Sequence, residues 1–345
     1  MDILPFEILT PNVASQPEIP RRLGPPVEVI EAGIRVDQFL ANKFRFLARH
    51  GWQQRLRAGR VFVNGNAVNC AYRVKTGDEL SHLMPPGSEP ETRSELELIY
   101  QSDRLLAVSK PPMLPMHEGG YYHQSTLVNF ARQQFGRDWS PVHRLDLETS
   151  GLVLCTADSE TREAVARQFR NRSIRKTYVF LTKYRPRDEE WKVQHSLGPI
   201  HVGEHSRQWL SPDGKTAETR FEWLETRGGL HLIRAFPLTG RTLQIRIHAA
   251  TSGVPILGDR LCHPDESIYL RYKSRHDDPE LYALTGHHRS CLHSESLEFV
   301  DPATNQMIRI HSPMYADMAE RWNTAELSGL LAGNDQSAML NSAPI

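Results

Sequence analysis

The sequence predicts an α+β protein of two domains, and three observations carry that reading. A chain of 345 residues is too long for one ordinary core. Runs rich in β-branched and aromatic residues occur in pairs around turn signals, and helical stretches with capping residues interrupt them. Hydrophobic residues make up 39% and charged residues 24%, which is the composition of a globular chain and not of a disordered one.

Residues 1–33 are proline-rich and carry five acids against Arg21 and Arg22, and they read as an N-terminal arm. Residues 34–92 form a small basic domain. Between Ile34 and Leu80 nine basic residues face only Asp37, Asp78 and Glu79, so a formally neutral chain hides a module suited to a polyanion. A helical pattern opens at Ile34, and a second helix ends near Ala58, with Gly59 as the residue past its end. Two short strands, at 61–63 and 67–68, flank Asn64-Gly65, a strong hairpin signal. Pro85, Pro86 and Gly87, followed by an acidic run, read as a linker.

Residues 93–319 form the larger domain. Runs 96–100 and 105–108 make a hairpin around residues 101–104. Ser125 suits the cap of a helix running through Phe130. Residues 152–155 are an apolar strand, Asp158 or Ser159 caps a helix with Ala164, Val165 and Phe169 on one face, and residues 176–181 form a strand. Asp213-Gly214-Lys215-Thr216 mimics the end of a phosphate-binding loop, but Trp209 stands at the upstream glycine position, so it reads as a turn into residues 217–224. Periodicity leaves residues 243–252 open between strand and helix, and Gly253 at their end favours helix. Residues 320–345 read as a C-terminal tail.

No apolar run approaches the roughly 20 residues that span a bilayer. The first residues lack the basic start of a signal peptide, which leads to an expected cytoplasmic location. Cys70, Cys155, Cys262 and Cys291 are scattered without a CxxC pair, against a disulfide framework or a zinc ribbon. Sixteen histidines include His287, His288 and His293, but no recognised ligand spacing, so no metal is expected.

The chemistry concentrates in residues 143–151, HRLDLETSG. Asp146 is an acid inside a turn-forming run just before the apolar strand. On its own such a residue usually hydrogen-bonds a surface turn. The nine residues, however, closely resemble the HRLDxxTSG signature of the RluA-type pseudouridine synthases. Residues 240–248, GRTLQIRIH, with Gly253, Pro255, Gly258 and Asp259, are similar to that family's GRTHQIRxH…GxPIxGD motif, with Leu243 where histidine is usual. Lys110 to His117 resemble its KPxGxxVH loop, with Met113 for glycine. Lys176-Thr177-Tyr178 matches its KTY motif, and residues 290–299 match its LHAxxLxF strand, with Ser294 for alanine. Residues 34–65 resemble an S4 RNA-binding fold, with Ala48 where a serine is common.

The resemblance implies a catalytic domain with a mixed, largely antiparallel sheet and helices around a cleft, preceded by an S4-like module. It implies an RNA pseudouridine synthase acting on ribosomal RNA, with transfer RNA left open. Asp146 is then the catalytic carboxylate, Arg241 its ion-pair partner, and Tyr178 the residue that stacks on the extruded base. A forked guanidinium orients a carboxylate in a way that lysine does not reproduce. His143, Arg144, Thr149, Ser150, Gly240 and Gln244 are expected to bind substrate, and Arg35, Arg49, Arg55, Arg57 and Arg60 to bind RNA. Uridine isomerisation gains no atoms or electrons, so no cofactor is expected, and the chain is expected to be a monomer. A rival reading is a non-catalytic RNA-binding or ribosome-assembly protein that retains the fold. A small-molecule glycoside enzyme usually needs two catalytic carboxylates, and the sequence around Glu148 gives no sign of such a pair.

Overall fold

The computed structural model describes residues 21–44, 48–83, 89–90, 92–119, 122–275 and 278–335. The chain folds as two units, Met1–Glu91 with Gly119–His123, and Thr92–Glu118 with Gln124–Ile345.

The first unit contains β1 (Arg21–Arg22), a 3-10 turn (Val29–Glu31), α1 (Val36–Lys43), α2 (Arg49–Arg57), β2 (Val61–Val63), β3 (Asn66–Ala67) and β4 (Leu80–His82). Its strands lie in the order β1-β4-β2-β3. Val36, Phe39 and Leu40 of α1 and Trp52 and Leu56 of α2 pack with Val61, Val63 and Leu80 in one apolar core. Asn64 and Gly65 both take positive φ, 50° and 80°, as a tight two-residue hairpin demands. The expected arm is shorter than the sequence suggested. Arg21 and Arg22 pair with β4, and Leu23 and Val27 are buried in this core, so residues 21–33 are integral to the unit. Residues 1–20 lie outside the described part.

The second unit begins with β5 (Glu97–Gln101), β6 (Leu105–Lys110), α3 (Leu127–Phe135), β7 (Ser140–Pro141), β8 (Ser150–Thr156), α4 (Ser159–Arg170) and β9 (Arg175–Thr182). It continues with β10 (Glu190–Val202), β11 (His205–Leu210), β12 (Lys215–Arg227) and β13 (Leu230–Pro237). Then follow α5 (Gln244–Thr251), α6 (Glu266–Ser274), α7 (Pro279–Thr285), β14 (Leu292–Val300), β15 (Met307–His311) and α8 (Ala316–Asp335). The strands make one mixed sheet in the order β11-β10-β12-β13-β9-β14-β8-β6-β5, with β15 on β14 and β7 on β8. Every pairing is antiparallel except β8 with β14. The expected largely antiparallel α+β sheet is present.

The central strands explain the unbroken apolar run at 152–155. Leu106, Val108, Val153 and Cys155 face one core, while Leu105, Ala107, Leu152 and Leu154 face a second, where Val165 of α4 covers them. Strands buried on both faces lose the usual alternation. Asp158 caps α4 through the Thr161 N–H at 2.8 Å, as expected. The cap of α3 is Thr126 and not Ser125, and the helix runs on to Phe135. The expected tail is also too long. Met318, Trp322 and Ala325 of α8 are buried in the main core, on both sides of the boundary placed at 319. No described helix is long and apolar enough to cross a membrane.

One close approach fixes the middle of the sheet. Gly151 of β8 lies beside Ser294 of β14 with φ +106°, and a Cβ there would sit 2.3 Å from the Ser294 carbonyl oxygen. Only glycine fits, so the last letter of HRLDLETSG is a packing requirement of the parallel contact.

Candidate active site

The segment between β7 and β8 carries Asp146, and its backbone is clamped. Asp146 O accepts from Thr149 N at 3.1 Å, and Leu147 O accepts from Met113 N at 2.8 Å. The fully buried Lys110 ammonium donates to the carbonyls of Pro111, Leu114 and Leu147 at 2.9, 2.9 and 3.1 Å, which joins two sequence-distant loops. Burial pushes this ammonium down to about 7, with Arg289 acting in the same direction and Asp146 against it. Met113, at the position where glycine was expected, holds φ +62°, so the left-handed turn survives with a side chain.

Asp146 lines an open cleft. Tyr178 of β9, Ile245 and Arg246 of α5, and Leu292 of β14 share the lining with it, while Arg144, Lys176 and Arg241 bring cations to the same cleft. The carboxylate keeps 26% of its side-chain exposure. Burial pushes the Tyr178 phenol up to about 12, opposed by the Ser294 hydroxyl and reinforced by the Asp146 charge. The ring is therefore a neutral donor and an apolar face together.

The cation facing Asp146 is Arg246, not Arg241. Arg246 Nη1 lies 3.6 Å from Asp146 Oδ2, while its Nε and Nη2 grip Asp259 at 2.6 and 2.7 Å. Burial works against the Arg246 charge, but Asp259 and Glu148 hold it well above the ordinary arginine range. Arg241 lines the same cleft, yet it is exposed and its Nε donates to Thr216 O at 3.2 Å. The reason is geometric: Arg246 is two residues inside α5, a helix buried from Gln244 through Ala250, whereas Arg241 precedes the helix and is exposed. Sequence alone held a usable signal, because an arginine between Ile245 and Ile247 must be paired once those neighbours are buried.

Other expected substrate contacts divide. Arg144, Thr149 and Gly240 border the cleft. Arg144 is exposed and makes no ion pair among the described residues. Gln244 also borders it, but its amide is committed internally. Its Oε1 accepts from Thr239 Oγ1 and Arg241 N, and its Nε2 donates to Glu218 O and Thr219 Oγ1. His143 and Ser150 do not line the cleft. His143 Nε2 accepts the Leu154 N–H at 3.0 Å and its ring lies on Phe169, which is a structural role. Ser150 Oγ pairs with His293 Nδ1 at 3.0 Å beneath the loop.

In the first unit, Arg35 and Arg49 are tied to the fully buried Asp37, at 3.1 and 3.0 Å, and Gln53 joins them at 2.7 Å. Burial opposes the Asp37 charge, but these hydrogen bonds keep its carboxyl below the usual range. The two arginines remain 41% and 51% exposed, so outer faces are still open to a ligand. Arg55 lies over the Trp52 ring and Arg60 donates to Leu83 O, while Arg57 is exposed.

His287, His288 and Asp317 form a group whose ligand atoms lie within 4.8 Å of one another. Both Asp317 oxygens are already forked to Arg289 at 2.6 Å, which opposes a second cation there.

Burial pushes four imidazoles, His143, His248, His287 and His293, down to about 4. In the unfolded chain each titrates near about 6.5. Between these values the unfolded chain binds more protons, so stability should fall as pH drops from about 6.5 to about 4. Thermal melting across that window should show the decline, and a flat profile would contradict neutral buried imidazoles.

Comparison with known proteins agrees with this arrangement. The family described as RNA pseudouridylate synthase matches residues 104–251, and the S4 domain matches residues 34–80. The ribosomal large subunit pseudouridine synthase C of Vibrio cholerae is 31% identical over 304 residues, covering 84% of this chain and 92% of the relative. The chain belongs to the RluA-type RNA pseudouridine synthases. The synthase of the same name from Escherichia coli is 30% identical to this one over 301 residues, covering 82% of this chain and 90% of its own. The solved structure of human RNA pseudouridylate synthase domain containing 1 shares the synthase fold, with TM-score 0.51 and 23% identity over 65% of this chain and 86% of that one. The synthase is thus an isomerase preceded by an S4 module, and the non-catalytic rival loses its footing.

Proposed function

We propose that this synthase converts uridine to pseudouridine in the RNA of the large ribosomal particle, with Asp146 as the catalytic carboxylate. The observation that carries the assignment is a partly exposed acid in the lining of an open cleft, facing a fully buried arginine that Asp259 holds in place. The ribosomal substrate is supported by the names of the relatives in Vibrio cholerae and Escherichia coli. In the reaction the bond from uracil N1 to ribose C1′ breaks, the base turns, and C5 joins C1′ while a proton moves from C5 to N1. Asp146 acts as nucleophile or base at ribose C1′, uracil C6 or the C2′ hydrogen. No cofactor takes part in this scheme.

The target base has to leave its stack, at a cost of a few kcal/mol. Tyr178 offers the replacement stacking surface, and Arg144, Lys176 and Arg241 offer phosphate contacts that offset the cost. Arg57 and the outer faces of Arg35 and Arg49 extend the same attraction to RNA in the S4 unit. The cleft is complete within one chain, which suits a monomer, and four free cysteines suit the reducing cytoplasm.

The test is pseudouridine mapping of ribosomal RNA in cells lacking the gene, restored with the wild-type chain or with Asp146→Asn. One or more sites should vanish and return only with the wild type. Loss confined to transfer RNA would overturn the substrate assignment. Arg241→Gln should weaken RNA binding and flatten the dependence of log K on log salt by about 0.7 to 0.9. Its exposure means that folding stability should change by no more than about 0.5 kcal/mol. An unchanged salt slope would remove Arg241 from the phosphate contacts.

A further inference from the structure

We infer that Glu148 is a positioning residue for the reaction, a strut that ties the guanidinium of Arg246 to the loop carrying Asp146. The inference rests on Asp146 being the catalyst. Glu148 follows Asp146 by two residues, is 7% exposed at its side chain, and does not line the cleft. It therefore acts through another group and not on the nucleotide.

Both of its carboxylate oxygens are engaged. Oε1 accepts from Arg260 Nη2 at 2.5 Å, and Oε2 accepts from Arg246 Nη2 at 3.4 Å and from Ser290 N at 3.2 Å. Its carbonyl oxygen accepts from Arg289 Nη1 at 3.1 Å. Arg260 is itself held between the rings of Tyr272 and Tyr282, each 5.1 Å away, so Glu148 is braced by a cation that has little freedom to move.

Arg246 is a planar fork whose donors cannot be aimed independently. Asp259 takes Nε and one hydrogen of Nη2, Glu148 lies on the other side of Nη2, and Nη1 is left for Asp146. Asp259 is 13 residues from Arg246 and fixes the fork relative to its own part of the chain. Glu148 alone lies on the Asp146 loop, so it sets the separation between that loop and the fork. Without Glu148 the loop backbone would still be clamped at Leu147 and Arg246 would stay docked on Asp259, but the side-chain tie between the loop and the fork would be lost. Misplacement of a reacting group by about 1 Å can cost on the order of a hundredfold in rate.

The test is single-turnover and steady-state kinetics of Glu148→Gln and of the charge-balanced double variant Glu148→Gln/Arg260→Gln, with melting of each. In the single variant kcat should fall about tenfold to a hundredfold while KM for RNA stays within about twofold. The double variant removes one charge of each sign, so melting should recover while kcat stays low. A single variant with wild-type kcat overturns the inference, as does a rise in KM alone. Recovery of kcat together with melting in the double variant overturns it too, since charge balance would then be the whole role. If the single variant fails to fold, the double variant decides. Should Asp146→Asn retain activity, the catalytic assignment itself falls; should it be inactive while both Glu148 variants turn over normally, only the strut falls.

Discussion

Asp146→Asn should abolish pseudouridine formation, by at least about 10⁴-fold, and leave RNA affinity within about twofold. The side chain is isosteric, so the cleft keeps its shape, but the amide supplies neither a nucleophile nor a base. The fold has little reason to respond. Arg246 stays forked to Asp259 at 2.6 and 2.7 Å and remains beside Glu148, whereas its approach to Asp146 is the longest of its contacts, at 3.6 Å. Loss of one partner therefore leaves no buried charge alone, the situation that makes a broken ion pair costly. In the proposed scheme binding rests on the rim cations and the S4 unit, which the variant does not touch. Turnover within tenfold of wild type would remove Asp146 as catalyst, and a parallel collapse of binding and melting would mark it as structural.

Gly151→Ala should destabilise the second unit by about 4 kcal/mol or more, beyond the usual range for a single substitution. Two causes add. The backbone holds φ +106°, where a side chain is strained, and the new Cβ would meet Ser294 O at 2.3 Å and Ser294 N at 2.7 Å. Backbone atoms of a paired strand cannot swing aside as a side-chain tip does. Gly136→Ala is the control, because Gly136 has φ +69° with nothing within 4 Å of its Cβ position. It should cost only the left-handed penalty, about 1 to 2 kcal/mol. Denaturant midpoints at constant m separate the two. Equal losses at both positions would show that the sheet relaxes around the added methyl.

Local signals identified most of the elements correctly. The Asn64-Gly65 hairpin, the α4 cap at Asp158 and the helix ending before Gly253 follow from neighbours in sequence, where turn chemistry and capping act. The position of Asp146 at the mouth of a strand was legible for the same reason. What escaped was decided by distant packing. Arg241 and Arg246 share one motif, and the burial of α5 from Gln244 through Ala250 decides which of them meets the acid. Gln244 and His143 look like ligand contacts until their partners at Thr219 and Leu154 are known. Arg35 and Arg49 counted as open charges until Asp37, far from Arg49 in sequence, proved to be buried between them. The first strand of the first unit escapes the sequence because β1 has only two residues, too few for any periodicity.

The strand order of the second unit bears on when the enzyme becomes competent. β14, contributed by residues 292–300, lies between β9 and β8 and is the only described strand hydrogen-bonded to both. Asp146 lies in the segment that leads into β8 and Tyr178 belongs to β9, and this late segment is the strand that joins β8 to β9. A nascent chain leaving the ribosome thus carries the acid and the aromatic ring apart for most of its synthesis, and catalytic competence arrives only once the closing stretch of polypeptide has emerged.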